Sequence, residues 1–296
     1  MSINDPASPE KLFIEPFPAA APPRVGPALA TVDPNKPDWG VIQAALVWII
    51  SVVLLFFVPL LAVIPYIVYK VALYGSAQDL ATDSTLIFIS ILGVLPAHLL
   101  TFLTVWLVVT KNGKRPFWST VGWSWPKDFG PWKTIGLAVV LLIIGGLITW
   151  SFGGSETQLD QIINSSLKAR FVIAFMAAVT GPFVEELIYR GVLYAALQKV
   201  FGITTAVVIV STLFAGVHVL QYYKNLAVIA AITILSVSLT LVRARSGRLL
   251  PSYVIHLVFN GIQAVILVLQ PFLEKSPVEK KAAIGLLMHS LSRLLT

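Results

Sequence analysis

Apolar and polar positions alternate along this chain on the scale of whole helices. Seven apolar stretches, at about residues 41–69, 86–110, 134–150, 171–200, 204–220, 226–242 and 251–269, are separated by short segments where charge, proline, glycine or tryptophan collects. Several reach the ~20 residues that a helix needs to cross a bilayer, so the pattern predicts an all-α, polytopic transmembrane bundle. A further helical spacing, Ile284, Leu287, Leu291 and Leu294, marks 273–296 as an amphipathic helix that lies on the membrane surface or adds an eighth member. Residues 1–39 hold nine prolines and no apolar run of signal-peptide length, the composition of a disordered, extended tail. The transmembrane domain is then 40–272.

Composition sharpens this picture. The chain is 57% hydrophobic and 12% charged with mean hydropathy +0.84, whereas charged residues make up about a quarter of a soluble domain. Of its 21 Lys and Arg, twelve fall in the tail and in loops on one side of a seven-span bundle, and four in the loops opposite. The positive-inside rule then puts the N-terminus in the cytoplasm, and the net charge of +7 calls for no nucleic-acid partner. With no organellar targeting segment in the sequence, the expected location is a bacterial inner membrane. Tryptophans 118, 123, 125 and 132 sit among basic residues between Lys111 and Lys133, a headgroup composition. There is no cysteine, so disulfides, thiolate nucleophiles and Cys-ligated metals are excluded.

The candidate chemistry lies in three short patterns on successive apolar stretches. In 171–200, Gly181-Pro182 predicts a kink or a new helix start, and Glu185, Glu186 and Arg190 follow. Ionisable groups at membrane depth cost about 2.5–3.5 kcal/mol each on insertion scales and usually find partners. Glu186 and Arg190 are four apart with the acid first, the favoured helical ion pair, which leaves Glu185 free for proton chemistry. Next comes Phe214 with His218 on the same face. The Phe201-Gly202 turn sits midway between Glu185 and His218, so an antiparallel hairpin brings them to one height. The third pattern is His256 with Asn260, two donors four apart that either glue helices together or face a developing oxyanion. Straight helices would place His256 at a different depth, so a tilt, a kink at Pro182 or a protruding hairpin must close the gap.

Other intramembrane chemistries lack their residues. There is no His-Glu-x-x-His, every Asp lies in the tail or a loop, and Ser155 lies outside the apolar stretches. His98, beside Pro96, reads as a packing residue that caps backbone freed by proline. His289 reads as interfacial.

Taken in order, these patterns resemble the CAAX prenyl protease and bacteriocin-processing (Abi) family of intramembrane proteases. The family's Glu-Glu-x-x-x-Arg, Phe-x-x-x-His and His-x-x-x-Asn fall on Glu185, Glu186 and Arg190, on Phe214 and His218, and on His256 and Asn260, within about 168–270. The resemblance implies an endopeptidase with a polar cavity inside the membrane, acting on peptide or protein substrates at the bilayer, lipidated or not. It assigns water activation to Glu185 with His218, oxyanion stabilisation to His256 and Asn260, and support to Glu186, Arg190 and Phe214. It allows either no cofactor or a divalent metal, zinc foremost, on Glu185, His218 and His256. The rival reading is a catalytically inactive scaffold or bacteriocin self-immunity protein with the same bundle.

Overall fold

The computed structural model describes residues 33–74, 80–153 and 158–273, and among these the regular structure is helical without a strand. The helices are α1 (Val41–Tyr74), α2 (Ser84–Thr110), the single turn α3 (Phe117–Thr120), α4 (Pro131–Phe152), α5 (Gln158–Ser165), α6 (Leu167–Phe175), α7 (Gly181–Glu186), α8 (Tyr194–Tyr222), α9 (Leu226–Ser246) and α10 (Leu250–Leu273). Two π-helical stretches, Met176–Thr180 and Leu187–Leu193, join α6, α7 and α8 into one path. Tail residues 1–32 and the amphipathic segment from 274 onward, including His289, lie outside the described residues.

Six helical stretches are apolar and long enough to cross a membrane. The longest, Leu167–Tyr222, has 56 residues, about 84 Å of helix, far more than one crossing needs. It doubles back at Gly202, whose φ of 80° and ψ of 171° suit glycine and no helix. Tyr189 and Phe214, on opposite sides of that turn, meet with ring centroids 5.0 Å apart. The two arms are therefore antiparallel, and with the other five long apolar stretches they give the seven expected helical segments.

The α1–α2 pair packs through small residues. A Cβ at Gly93 would stand 2.7 Å from the Pro59 Cα, so only glycine permits this approach. At the end of the pair Asp83 caps α2, accepting from the Thr85 and Leu86 N–H groups. The Lys70 ammonium, 2.8 Å away, and then the Leu86 N–H hold the Asp83 carboxyl down to about 2.

The end of the expected disordered tail is built into the bundle, which corrects that reading for residues 33–39. Asn35 is gripped by Gln198 through its carbonyl and side-chain oxygens, both at 3.1 Å, and by the buried Arg243 at 2.7 Å. Pro34 and Pro37 accept from Arg243 and Lys199, and the buried Trp39 indole donates to the Val192 carbonyl at 3.1 Å. Asp38 pairs with Lys111 and Arg115. Proline withholds N–H donors but keeps its carbonyls, and these carbonyls satisfy cations at the helix ends.

The depth problem posed by His256 is solved by a protruding hairpin. Leu249, just ahead of α10, packs on Gly191. Helix α10 thus starts level with a residue ten short of the Phe201 turn, about 15 Å deeper by helix rise. That offset brings the first turns of α10 beside Glu185 and Glu186.

Candidate active site

The backbone beneath the two glutamates is not a fresh helix start. Thr180 and Gly181 keep right-handed helical angles, so the chain passes through Gly181-Pro182 without a free N-terminus. What absorbs the proline is the wider π turn Met176–Thr180. The Gly181 N–H reaches back five residues to the Met176 carbonyl, and a Cβ at Gly181 would stand 3.0 Å from that oxygen. Of the two expectations for Gly181-Pro182, the new helix start is therefore withdrawn and the local distortion holds.

Glu186 and Arg190 form the anticipated ion pair, at 2.9 Å and with both side chains fully buried. Burial of this kind is tolerable only when the remaining donors are used. Arg190 uses them on α9: its Nε donates to the Thr240 hydroxyl at 3.2 Å, and Nη2 donates to the Ser236 carbonyl and hydroxyl at 3.0 and 2.8 Å. The guanidinium also lies 4.6 Å from the Phe214 ring centroid. Phe214 thereby carries a cation on one side while its ring meets His218 at 4.8 Å and His256 at 5.9 Å.

His256 stands between the two carboxylates. Its Nδ1 is 3.1 Å from Glu186 Oε1, and its Nε2 is 3.7 Å from Glu185 Oε2. The carboxylate of Glu186, ionised against Arg190, can only accept, so Nδ1 carries a proton and donates. One imidazole nitrogen is thus spent on structure, and Nε2 alone remains for chemistry. In His218 the same logic applies: Nδ1 meets the Phe214 carbonyl at 2.8 Å, so it donates there and leaves Nε2 as the free nitrogen. Asn260 also has a structural contact, donating from Nδ2 to the Ala177 carbonyl at 2.9 Å. As placed, His256 and Asn260 thus each give one donor to the protein, and the expected pair of free donors is reduced by that much.

Glu185, Phe214, His218, His256 and Asn260 all line one cavity of about 420 Å³. Glu185 is the accessible carboxylate, its side chain 31% exposed against none of Glu186. Glu186 and Arg190 stand behind the wall. Two further residues of the wall were not placed there by the sequence: His98 was read as a packing residue and Gln263 was not singled out. His98 of α2 lines the cavity with its Nδ1 2.9 Å from the Thr180 hydroxyl, where a contact with proline-freed backbone was expected. Gln263 lies one turn beyond Asn260 on the same wall, and that i, i+3 spacing on a polar face was the available signal. Among the described residues no three His, Asp or Glu side chains are grouped closely enough to hold a metal ion. Glu185, His218 and His256 therefore do not fit a zinc set as they stand.

Residues 167–262 match the family described as type II CAAX prenyl endopeptidase, Rce1-like. The chain carries an Rce1-like segment. The chain is 26% identical over 226 residues to "Putative membrane peptidase YdiL" of Bacillus subtilis (strain 168), covering 72% of this chain and 87% of that protein. It is 23% identical over 251 residues to "Membrane-embedded CAAX protease MroQ" of Staphylococcus aureus (strain USA300), covering 80% and 94%. No solved structure gives a significant match. The Rce1-like segment contains all seven motif residues from Glu185 to Asn260, whereas His98 lies outside it.

Proposed function

We propose that this chain is an intramembrane endopeptidase of the CAAX type that hydrolyses peptide bonds of membrane-associated substrates, prenylated or not. The observation that carries this reading is one cavity holding an accessible carboxylate and two imidazoles, each with its Nδ1 tied to the protein and its Nε2 left over. Glu185, with His218 Nε2, takes a proton from a water held in the cavity, and the hydroxide attacks the substrate carbonyl. Asn260, through its second N–H, and His256, when Nε2 is protonated, donate to the oxyanion. Collapse of that intermediate breaks the C–N bond, and the proton held on Glu185 goes to the leaving amine. Glu186 and Arg190 hold His256 in its tautomer. The basic residues at the end that carries Asn35 and Arg243 support an orientation with that end in the cytoplasm of a bacterial cell.

The test is Glu185→Gln, which preserves shape and removes the base. Peptides released from membranes by the wild type should disappear with the variant, with and without a chelator. If both proteins release the same peptides, or the variant keeps every phenotype of the wild type, the chain is a scaffold or immunity protein instead. Loss of wild-type release in the chelator alone would return a metal to the site.

A further inference from the structure

In the π turn ahead of Glu185 the Gly181 N–H serves the carbonyl five residues back, that of Met176. The next donor in this register would serve Ala177. That residue is Pro182, which has no N–H to give. Ala177 lines the cavity, so without that donor its carbonyl would be left to cavity water. The Asn260 carboxamide from α10 occupies this position, with Nδ2 2.9 Å from the Ala177 oxygen.

The contact does more than satisfy a carbonyl. Because that oxygen can only accept, it dictates which end of the carboxamide faces Ala177, and the nitrogen is held there with one of its two hydrogens used. The other hydrogen belongs to a residue that lines the cavity with Glu185, His218 and His256. A donor fixed in advance lowers the barrier more than one that must rotate into place.

We propose that Pro182 is a positioning residue for the oxyanion donor: by withholding one N–H it creates the backbone anchor that orients Asn260. This rests on the peptidase reading above and adds to it a residue that touches neither water nor substrate. In Pro182→Ala, the restored N–H competes for the Ala177 carbonyl and frees the carboxamide to turn. A proline that merely shapes the helix would act without regard to what stands at 260.

The experiment is a double-mutant cycle on the full chain in liposomes. Wild type, P182A, N260A and P182A/N260A are compared by initial rates of peptide release from a bacterial membrane-protein extract incorporated in the same vesicles. N260A should lose about 10²–10³-fold and P182A about tenfold, and the double variant should match N260A within about twofold. A P182A rate equal to wild type, or a P182A loss that multiplies the N260A loss, overturns the inference. A parallel measurement needs no turnover: the side-chain N–H pair of Asn260 in 15N-asparagine-labelled protein in lipid nanodiscs, assigned by its absence in N260A. Its shifts should move in P182A, and unmoved shifts overturn the inference. If Glu185→Gln releases peptides like the wild type, it is the peptidase reading that fails, and the nanodisc spectra still decide whether Pro182 orients Asn260.

Discussion

The α1–α2 pair and the path from α6 to α10 are both apolar enough to sit in a bilayer, yet they are held by different means. Between α1 and α2 the mid-depth contact is backbone against backbone, Gly93 on Pro59, with Lys70, Tyr66 and Asp83 joined at the far end. From α6 to α10 the mid-depth contacts are polar: Arg190 to Glu186, Thr240 and Ser236, His256 to Glu186, Asn260 to Ala177. Close packing of small residues is sufficient to associate helices in lipid. Buried charge is an expensive way to do the same, and its presence in one region only marks where geometry has to be held for a purpose beyond cohesion.

Removing Arg190 tests the polar side most severely. Arg190→Leu strands Glu186 at zero exposure, and breaking one partner of a buried pair typically costs about 3–5 kcal/mol. The variant should be poorly folded or melt far below wild type in detergent. A Tm within about 2 °C of wild type would mean that the pair holds nothing together.

Glu185→Gln should show the opposite profile. The Glu185 side chain is 31% exposed and stands 3.7 Å from His256 Nε2, with no arginine partner among the described residues, so Tm should change by less than about 2 °C. Turnover should fall by about 10³-fold or more, the scale expected when an essential base is removed. Glu186→Gln in the same assays should lose both stability and turnover. Equal losses of stability in the two glutamine variants would erase the distinction between the neighbouring carboxylates.

These contrasts were only partly visible in the sequence. The spans, the turn at Gly202 and the Glu186–Arg190 pair were legible, because apolar run length, a glycine between two helical patterns and i, i+4 spacing are local signals. Three features were not. The π turn at Met176–Thr180 depends on how the chain accommodates Pro182. Residues 33–39 look like a proline-rich tail until Gln198 and Arg243, more than 160 positions away, are seen to bind their carbonyls. His98 shares the cavity only because α2 packs beside the Met176–Thr180 turn, and a lone imidazole in an apolar run carries no sign of its partner. The depth of His256 was legible as a problem and not as an answer, since the offset comes from where Leu249 packs.

On the apolar side, Gly93→Ala should cost less than Arg190→Leu. The added methyl falls 2.7 Å from the Pro59 Cα, which is backbone and cannot swing away. The helices must part, and overpacking of this kind costs about 1–3 kcal/mol. Tm should drop by several degrees while the peptide-release rate at permissive temperature stays near wild type. A larger loss of rate than of stability would show that α1–α2 packing reaches the cavity and that the two regions are not independent.

The smallest effect should come from the polar end of that same pair, and its sign is fixed. The Asp83 carboxyl is held down to about 2 from an ordinary 3.8, first by Lys70 and then by the Leu86 N–H. A group depressed in the folded protein stabilises it above the unfolded value and loses that contribution as pH falls through the folded value. The loss should therefore run from about pH 4 down to about pH 2. Asp83→Asn keeps the cap, because asparagine caps helices about as well as aspartate, but removes the titration. Melting curves in detergent between these limits should then show a steeper fall of Tm for wild type than for Asp83→Asn. Asp38, also lowered by Lys111, titrates alike in both proteins and cancels from the difference. Parallel slopes would mean that the Lys70–Asp83 contact contributes nothing to holding α1 on α2, leaving Gly93 and Pro59 to do so without help from charge.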